Sequence, residues 1–458
     1  MDMGNQAVQT LSQRLGLHVA TTRFSAIPVE ALRAAKLNIL DTLAVAWAGS
    51  DAPGCQEALK VFVNEKGANE STAWAYGVDL PAPAAAFING MSSAALDYDA
   101  LGRESPVHVN VTVLPAAMAV AEKQRSSGKD FLAALILGSD VMCRMGAAAS
   151  HPHRGWSYTS AFGGFGAAAA TARLLKLDAM ASAHALGMAF IQASGTQQAN
   201  IEPSLTKRML SAFGARAGVY AALLAEQGLT APKEVFEGKF GLYKLYQDGD
   251  PNRLVGELGT RFESTNISLK KYPSCGCNHT SVEATLRLVE KYNLTPDDVV
   301  TIRAVVTPYI NRIVGGLYDP SGDAQVAAQF NLRYSIACAL VRRKLGLLDI
   351  EETAARDPEL LPHIAKITVE VDPSLTTERG PVVVEMVTKS QGMLSLRVEH
   401  VPGSTEAPLS ESEVKAKFEE CFRLGVRPLD SSQIAELIAR INSIEHVPDM
   451  SKVFDGIC

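Results

Sequence analysis

The spacing of apolar residues changes character twice along this chain. From about residue 28 to residue 228, apolar side chains recur at helical spacing and alanine is abundant. Between residues 299 and 398, short runs of β-branched residues appear, and from Ser410 the helical spacing returns. A helical period predicts helices, and alternation predicts strands. The order predicts a mainly α protein with an α+β insertion: a large helical domain built from both ends of the chain, and a smaller α+β domain between them.

Pro, Gly and Ser residues punctuate these patterns and set the expected bounds of each element. We expect helices at Val29–Ala48, Pro81–Leu96, Leu114–Gln124, Asp130–Ala149, Phe165–Leu175, Met180–Gln192, Ala212–Gln227, Asn331–Leu345, Ser412–Leu424 and Ser431–Ser443, and strands at Val299–Val306, Ile367–Val371, Val382–Val387 and Leu394–Val398. The expected domains are residues 1–265 for the first part of the helical domain, 266–404 for the α+β domain and 405–458 for the C-terminal part of the helical domain.

Bulk properties restrict the class of function. A length of 458 residues exceeds what one simple core holds, so two domains are expected. A net charge of -6 disfavours a nucleic-acid partner, and uncharged apolar runs stay shorter than the roughly 18 residues of a membrane helix. No signal peptide is recognisable, and the seven cysteines are scattered and odd in number. We therefore expect a cytoplasmic or organelle-matrix protein that is not secreted and binds neither nucleic acid nor membrane.

A basic segment on this acidic chain is the first candidate for a site. Lys270 and Lys271 are followed by Cys275, Cys277 and His279, just before an expected helix whose free backbone N–H groups favour an anion. The combination favours a small carboxylate ligand. Three other interpretations stay open: a zinc site, although a second ligand pair is missing; a thiol nucleophile activated by the lysines; and thiols that only pack.

A second candidate combines carboxylates with a histidine. Asp97, Asp99, Arg103 and His108 lie within twelve residues, between two apolar helices. A histidine oriented by a carboxylate is a common general acid–base pair. The alternative is that the carboxylates cap a helix and the loop is solvated.

A third stretch, Gly155–Gly166, combines Ser157 and Tyr158 with several glycines. It lacks the preceding strand and the Gly-Lys-Ser/Thr ending of a nucleotide loop. We therefore expect its glycines to permit close helix packing. His151 and His153 precede it and are either ligands or exposed loop residues.

A fourth stretch places Lys207 and Arg208 side by side near a helix start. Positive charge there opposes the helix dipole. Either solvent or a bound anion relieves that cost.

In this order, the four stretches resemble the MmgE/PrpD family, which includes 2-methylcitrate dehydratase, cis-aconitate decarboxylase and iminodisuccinate epimerase. The resemblance extends over nearly the whole chain. It rests on Ile39–Gly49, on Asp97–Asp99 with His108, on the glycine–alanine helix that follows Gly155, on Lys207-Arg208, on Lys270–His279 and on Ala328–Leu332.

The resemblance implies a large helical domain with an α+β lid domain, usually as a homodimer. It also implies a site for a small di- or tricarboxylate that uses no cofactor, and we expect no metal. Asp97, His108, Lys207 and Lys270 fall on positions associated with a decarboxylase-type pocket, and Cys275 falls where some members have histidine. We expect catalytic roles for Asp97, His108, Lys207, Lys270 and Tyr158, and substrate binding by Asp99, Ser157, Arg208, Cys275 and His279.

Three positions depart from the family pattern. Ser157 stands where many members have histidine, Leu210 stands where the usual Lys-Arg-Leu-His has its histidine, and Phe213 stands where many have arginine. Ser157 or Tyr158 is expected to supply substitute hydrogen bonds.

These inferences predict a lyase. Asp97 or Asp99 orients His108, which abstracts a proton in a dehydration or delivers one to carbon after loss of CO2, while Lys207, Arg208 and Lys270 hold carboxylates. Two alternatives stay open: an epimerase or isomerase of a dicarboxylate such as iminodisuccinate, and a non-catalytic carboxylate-binding relative.

Overall fold

The computed structural model describes residues 9–102, 106–150 and 154–458. The first part of the chain is mostly helical, with two short antiparallel pairs, β1 with β2 and β3 with β4. Its elements are α1 (Leu11–Thr21), α2 (Val29–Gly49), α3 (Cys55–Asn64), β1 (Ser71–Ala73), β2 (Val78–Leu80), α4 (Ala82–Ala94), β3 (Leu101–Gly102), α5 (Asn110–Lys123), α6 (Gly128–Ala148), α7 (Tyr158–Leu174), α8 (Ala179–Phe190), α9 (Gln198–Ile201), α10 (Thr206–Glu226), α11 (Leu242–Leu245), α12 (Pro251–Val255) and β4 (Ile267–Ser268).

The rest of the chain forms a four-stranded sheet with helices and then returns to helix. Its elements are α13 (His279–Tyr292), β5 (Val299–Val306), α14 (Pro308–Val314), α15 (Ala324–Gln329), α16 (Leu332–Arg342), α17 (Glu352–Ala355), α18 (Leu361–Ile364), β6 (Ile367–Val371), β7 (Val382–Thr388), β8 (Gly392–Val398), α19 (Glu411–Phe422) and α20 (Ser431–Asn442). Short 3-10 turns lie at Phe24–Ala26, Glu263–Thr265, Leu347–Ile350, Ile444–His446 and Met450–Lys452.

Small residues allow the central helices α6, α7 and α10 to approach closely. A Cβ atom at Gly138 on α6 would lie 2.5 Å from the Gly166 carbonyl oxygen on α7. A Cβ atom at Gly218 on α10 would lie 2.3 Å from the Ala167 side chain on α7. Both distances are far below van der Waals contact, so these crossings require glycine. Within the stretch Gly155–Gly166, a Cβ atom at Gly166 would lie 2.8 Å from the Gly138 carbonyl oxygen, so this glycine serves helix packing as the sequence predicted, whereas a Cβ atom at Gly155 would meet nothing within 4 Å.

Helix α6 is long and apolar enough to cross a membrane by length and composition alone. Its most apolar stretch is 94% buried inside the fold, where α5, α7 and α12 pack against it. Its apolar surface is therefore covered by the protein's own helices.

The sheet has the strand order β6–β5–β7–β8. β5 and β6 are parallel, whereas the other neighbouring strands are antiparallel. Along β7, Val382, Val384 and Met386 are buried and alternate with less buried residues, because successive side chains point to opposite faces. Helix α13 packs on β7 and β8, and α16 packs on β6.

The two C-terminal helices pack back against α2. Each begins with a capping box, formed by Ser410 with Glu413 and by Asp430 with Gln433, which satisfies N–H groups at the helix start. The expected fold class, a large helical domain with a smaller α+β domain, is confirmed.

Several element bounds differ from expectation. Helices α5, α7 and α10 begin at Asn110, Tyr158 and Thr206 rather than at Leu114, Phe165 and Ala212. Their first turns carry polar side chains, several of which face a cavity instead of continuing an apolar stripe. Helices α1 and α3 were not predicted, although with 11 and 10 residues they are long enough to show a helical period. The other unpredicted elements offer too few residues for a clear period; they are α9, α11, α12, α14, α15, α17, α18 and β1 to β4.

Candidate active site

A cavity of about 110 Å³ lies where the helical domain meets the α+β domain. The loop between α4 and β3, the starts of α7 and α10, and the segment 275–277 contribute to its wall. The lining side chains that can carry charge include those of Asp97, Asp99, His108, Lys207, Cys275 and Arg379. The sequence also suggested Arg103, His151 and His153 as candidate site residues. These three lie outside the described residues.

One carboxylate orients the His108 imidazole. His108 Nδ1 lies 2.6 Å from Asp99 Oδ2, and the His108 backbone N–H donates to Thr159 Oγ1 at 3.0 Å. The Asp99 side chain is 2% exposed, whereas that of His108 is 25% exposed and lines the cavity. Asp99, and not Asp97, is thus the hydrogen-bond partner of His108. With Nδ1 held, Nε2 is the ring nitrogen left to exchange a proton with a ligand.

Asp97 bridges two lysines. Its Oδ1 accepts a hydrogen bond from Lys207 Nζ. Lys270 Nζ donates to Asp97 Oδ2 and to the Asp97 carbonyl oxygen, each at 2.7 Å. Lys270 is 3% exposed and lies behind Asp97 rather than among the cavity-lining residues. Lys270 therefore reaches the cavity only through Asp97.

The backbone at Asp97 is strained. Its φ angle is +50°, a left-handed conformation that few residues other than glycine adopt. Such conformations persist where surrounding contacts hold them, and they concentrate at functional sites. The lysine contacts of Asp97 supply that restraint.

The cations keep both carboxylates ionised. Burial alone would raise the pKa of Asp97, but Lys207, Lys270 and His108 hold it far below its ordinary value. Burial likewise opposes the lowered pKa of Asp99, and His108 and Lys270 outweigh it. Burial would lower the pKa of Lys270, yet Asp97 and Asp99 raise it. Because two lysines share one carboxylate, the Asp97 cluster carries an excess of positive charge.

Ser157 and Tyr158 lie at the start of α7, and both line the cavity. The Ser157 side chain makes no capping hydrogen bond. The Tyr158 ring stacks on Phe162 with centroids 4.6 Å apart. Burial raises the pKa of Tyr158 above its ordinary value, so this phenol stays protonated and can donate a hydrogen bond.

Cys275 and Cys277 line the cavity just before α13. A hydrogen bond from Cys277 lowers the pKa of the Cys275 thiol, although burial opposes the shift. Within the described ranges, no three His, Cys, Asp or Glu side chains are grouped as metal ligands would be. Because Cys275 lines the cavity, a ligand bound there would contact it.

His279 does not fit the predicted role in substrate binding. It is fully buried at the first residue of α13, and its Nε2 lies 3.3 Å from the Ser274 carbonyl oxygen. The ring packs edge-on against Tyr272. Burial, together with Lys270, lowers the pKa of His279 to about 3. This neutral ring holds the 274–279 segment in shape and does not line the cavity.

Arg208 also does not fit its predicted role. Lys207 lines the cavity, but successive residues of a helix point about 100° apart, and the Arg208 side chain enters the core. Its guanidinium is fully buried and donates to the Pro53 carbonyl oxygen at 2.7 Å and to Gln325 Oε1 at 2.9 Å. Arg208 therefore joins α10 to two neighbouring segments.

Arg379 is a cavity residue that the sequence reasoning missed. It lies on the connection between β6 and β7, with its side chain 14% exposed. Nη1 donates to the Gly102 carbonyl oxygen at 3.3 Å, and Nη2 lies 3.6 Å from Glu378 Oε2. The only local signal was a charged turn, Glu378–Pro381, between two strands. Gln197 and Asn200 were missed as well and supply amide groups to the wall.

Comparison with known proteins gives consistent similarities. The cis-aconitate decarboxylase-like protein oryM of Aspergillus oryzae is 28% identical over 457 residues, covering 94% of this chain and 93% of the relative. A cis-aconitate decarboxylase of Aspergillus terreus is 26% identical over an alignment that covers 94% of this chain and 92% of the relative. The cis-aconitate decarboxylase of Homo sapiens is 24% identical over an alignment that covers 92% of this chain and 89% of the relative.

Two family domains cover most of the described fold. The MmgE/PrpD N-terminal domain matches residues 13–254, and the MmgE/PrpD C-terminal domain matches residues 272–443. The first contains the Asp97, His108 and Lys207 positions, and the second contains Cys275 and Arg379. This protein belongs to the MmgE/PrpD family.

Proposed function

We propose that this protein is a lyase that releases CO2 from a small unsaturated tricarboxylate of the cis-aconitate type. The observation that carries the proposal is that a histidine–carboxylate pair and two cationic side chains line one cavity. The names of the relatives support the choice of substrate class.

Lys207 and Arg379 bind the substrate carboxylates in this proposal. They come from α10 and from the β6–β7 connection, so they approach the cavity from different parts of the fold. Charge-assisted hydrogen bonds to carboxylates are short and strong in a site shielded from water. Ser157 and Tyr158 add hydroxyl groups that complete the binding of the acid.

His108 supplies the proton. Loss of CO2 breaks a C–C bond and leaves an electron pair delocalised towards a remaining carboxylate. The positive field of Lys207, with Lys270 behind it, stabilises that charge as it develops. Nε2–H of the protonated His108 then donates its proton to carbon, and Asp99 stabilises the imidazolium before the transfer. One CO2 leaves and one proton is added, so solvent reprotonates His108 for the next turnover.

An NMR assay in D2O tests the proposal. The protein is incubated separately with cis-aconitate, citrate, 2-methylcitrate and iminodisuccinate, and product signals and CO2 are followed. We expect cis-aconitate to give CO2 and a dicarboxylate with one solvent-derived deuteron. Water loss from citrate or 2-methylcitrate without CO2 would indicate a dehydratase instead. Deuterium exchange in iminodisuccinate without CO2 would indicate an epimerase, and binding without any reaction would overturn the assignment as an enzyme.

A further inference from the structure

Lys417, on helix α19, lies behind the cavity. The Lys417 side chain is 3% exposed, and its Nζ lies 2.6 Å from Asp41 Oδ1 on α2. The same ammonium donates to the carbonyl oxygens of Tyr98 at 2.9 Å and of Lys270 at 3.1 Å. An ammonium has three protons to donate, and three acceptors surround this one.

The two carbonyl acceptors belong to the backbone of the charged cluster. Tyr98 separates Asp97 from Asp99, and Lys270 carries the amine that binds Asp97. Lys417 Nζ also lies 4.0 Å from the centroid of the Tyr98 ring, and Tyr98 Oη donates to the Lys271 carbonyl oxygen at 3.2 Å. Lys417 thus contacts both the Asp97–Asp99 segment and the segment at Lys270. The carboxylate of Asp97 and the amine of Lys270 meet between these two segments, beside the cavity.

The Asp41–Lys417 ion pair by itself does not explain why a lysine stands here. Asp41 is fully buried, and burial raises its pKa even though Lys417 opposes the shift. Replacing a buried ion pair with apolar residues of similar volume is often neutral or stabilising. Apolar residues would, however, leave the Tyr98 and Lys270 carbonyls without their donor.

We infer that Lys417 is a positioning residue, which fixes the backbone that aims Asp99 at His108 and Lys270 at Asp97. The inference rests on the proposed function for its kinetic consequence, but its structural consequence is independent of turnover. Misplacement of a reacting group by about 1 Å can cost on the order of 100-fold in rate, so a small shift of this backbone is measurable.

The test compares Lys417→Met with Lys415→Met on the same helix. Lys415 is 73% exposed and lies 3.8 Å from Glu419, so it controls for loss of a lysine from α19. Since Lys417→Met leaves Asp41 buried without its charged partner, the double variant Asp41→Leu/Lys417→Met is made in parallel. Two quantities are measured: kcat and KM with the acid that the wild type converts, and the pH midpoint of the His108 ring signal by NMR, assigned by its absence in His108→Gln.

We expect kcat to fall by about 10-fold or more in both Lys417 variants, with KM changed by less than about 3-fold. We also expect the His108 midpoint to move to lower pH, because a displaced Asp99 stabilises the protonated ring less. Lys415→Met should change neither quantity. Folded Lys417 variants with wild-type kcat and midpoint would overturn the inference, and unfolding of both variants would overturn it in favour of a purely structural role.

The NMR readout separates this inference from the proposed function. If the wild type converts no acid, the proposed function fails, and the His108 midpoint alone decides the role of Lys417. A midpoint shift in the Lys417 variants and none in Lys415→Met would then still support positioning.

Discussion

Two three-charge clusters in this protein have opposite compositions. On the sheet surface, Arg303 binds Glu370 and Glu385 at 2.7 Å each, and the three side chains are 25% to 55% exposed. At the cavity, Asp97 binds Lys207 and Lys270, and no side chain of the three exceeds 12% exposure. One cluster has a central cation in water, and the other has a central anion shielded from water.

The difference shows what burial adds to an ion pair. Exposed pairs are screened by solvent and contribute little. In a buried cluster each charge depends on its partners, because an unpaired buried charge is costly. Only the buried cluster can therefore impose protonation states and direct a field into a cavity. Substitutions in the two clusters test this contrast.

The largest effect is expected from Asp97→Asn, which neutralises the buried cluster with little change of shape. Lys207 and Lys270 would lose their shared countercharge. We expect the free energy of unfolding to fall by about 3–5 kcal/mol and kcat/KM to fall by more than about 100-fold. Urea unfolding and the CO2 assay measure the two quantities. Unchanged stability would show that the lysines do not depend on Asp97.

The next effect concerns the two cations that line the cavity. Lys207→Met and Arg379→Gln each remove a charged donor worth about 1.5–3 kcal/mol in binding. We expect each to raise KM by about 10- to 100-fold. Arg397→Gln serves as the control, because Arg397 is 48% exposed and pairs with Glu399 on the sheet. Unaltered KM in both cavity variants would mean that carboxylates bind elsewhere.

A smaller effect should appear in the pH dependence of stability. The folded-state pKa of His279 is about 3, below the roughly 6.5 of an unfolded chain. The contribution of the neutral His279 ring to the free energy of unfolding is therefore complete above about pH 6.5. It is lost at about 1.4 kcal/mol per pH unit as the pH falls towards 3. Unfolding of His279→Gln should be less acid-sensitive than that of the wild type between pH 6.5 and 5. If the free energies of unfolding of the two proteins fell equally with pH, the buried, neutral state of this ring would be contradicted.

The smallest effect is expected at the exposed cluster. Arg303→Gln should leave kcat/KM unchanged and move the melting temperature by no more than about 2 °C. Thermal unfolding and the CO2 assay provide the comparison with Asp97→Asn. A large loss in either assay would remove the distinction between the two clusters.

Much of the fold was predictable from the sequence, and the exceptions have physical causes. β5 and β6 match their predicted bounds. Burial alternates along β5 from Thr301 to Val306, after an irregularity between Val299 and Thr301, and in β6 the buried Ile367 and half-buried Val369 alternate with the exposed Thr368 and Glu370. The first turns of α7 and α10 were missed because Tyr158 and Lys207 face the cavity, where an apolar stripe would not continue.

The members of the site were more predictable than their pairing. Asp97, Asp99 and His108 were candidates from residue type and order, and Lys207 from the family resemblance. The structure brings all four to one cavity, but the spacing allowed either carboxylate to hold His108. Arg208 was predicted to bind substrate beside Lys207, but adjacent helical residues face different directions, and the structure places its guanidinium in the core against Pro53 and Gln325. The position of Arg379 depends on how the β6–β7 connection packs, and the local sequence contains no information on that.

The central claim is that His108 moves the proton while other groups bind the acid. The most direct test measures turnover and affinity of His108→Gln, with His400→Gln, an exposed histidine, as the control. Calorimetric titration with the converted acid gives Kd, and CO2 release gives kcat. The account predicts kcat at least about 100-fold below the wild type, Kd within about 3-fold, and an unaffected His400→Gln. Turnover by His108→Gln at the wild-type rate would contradict it.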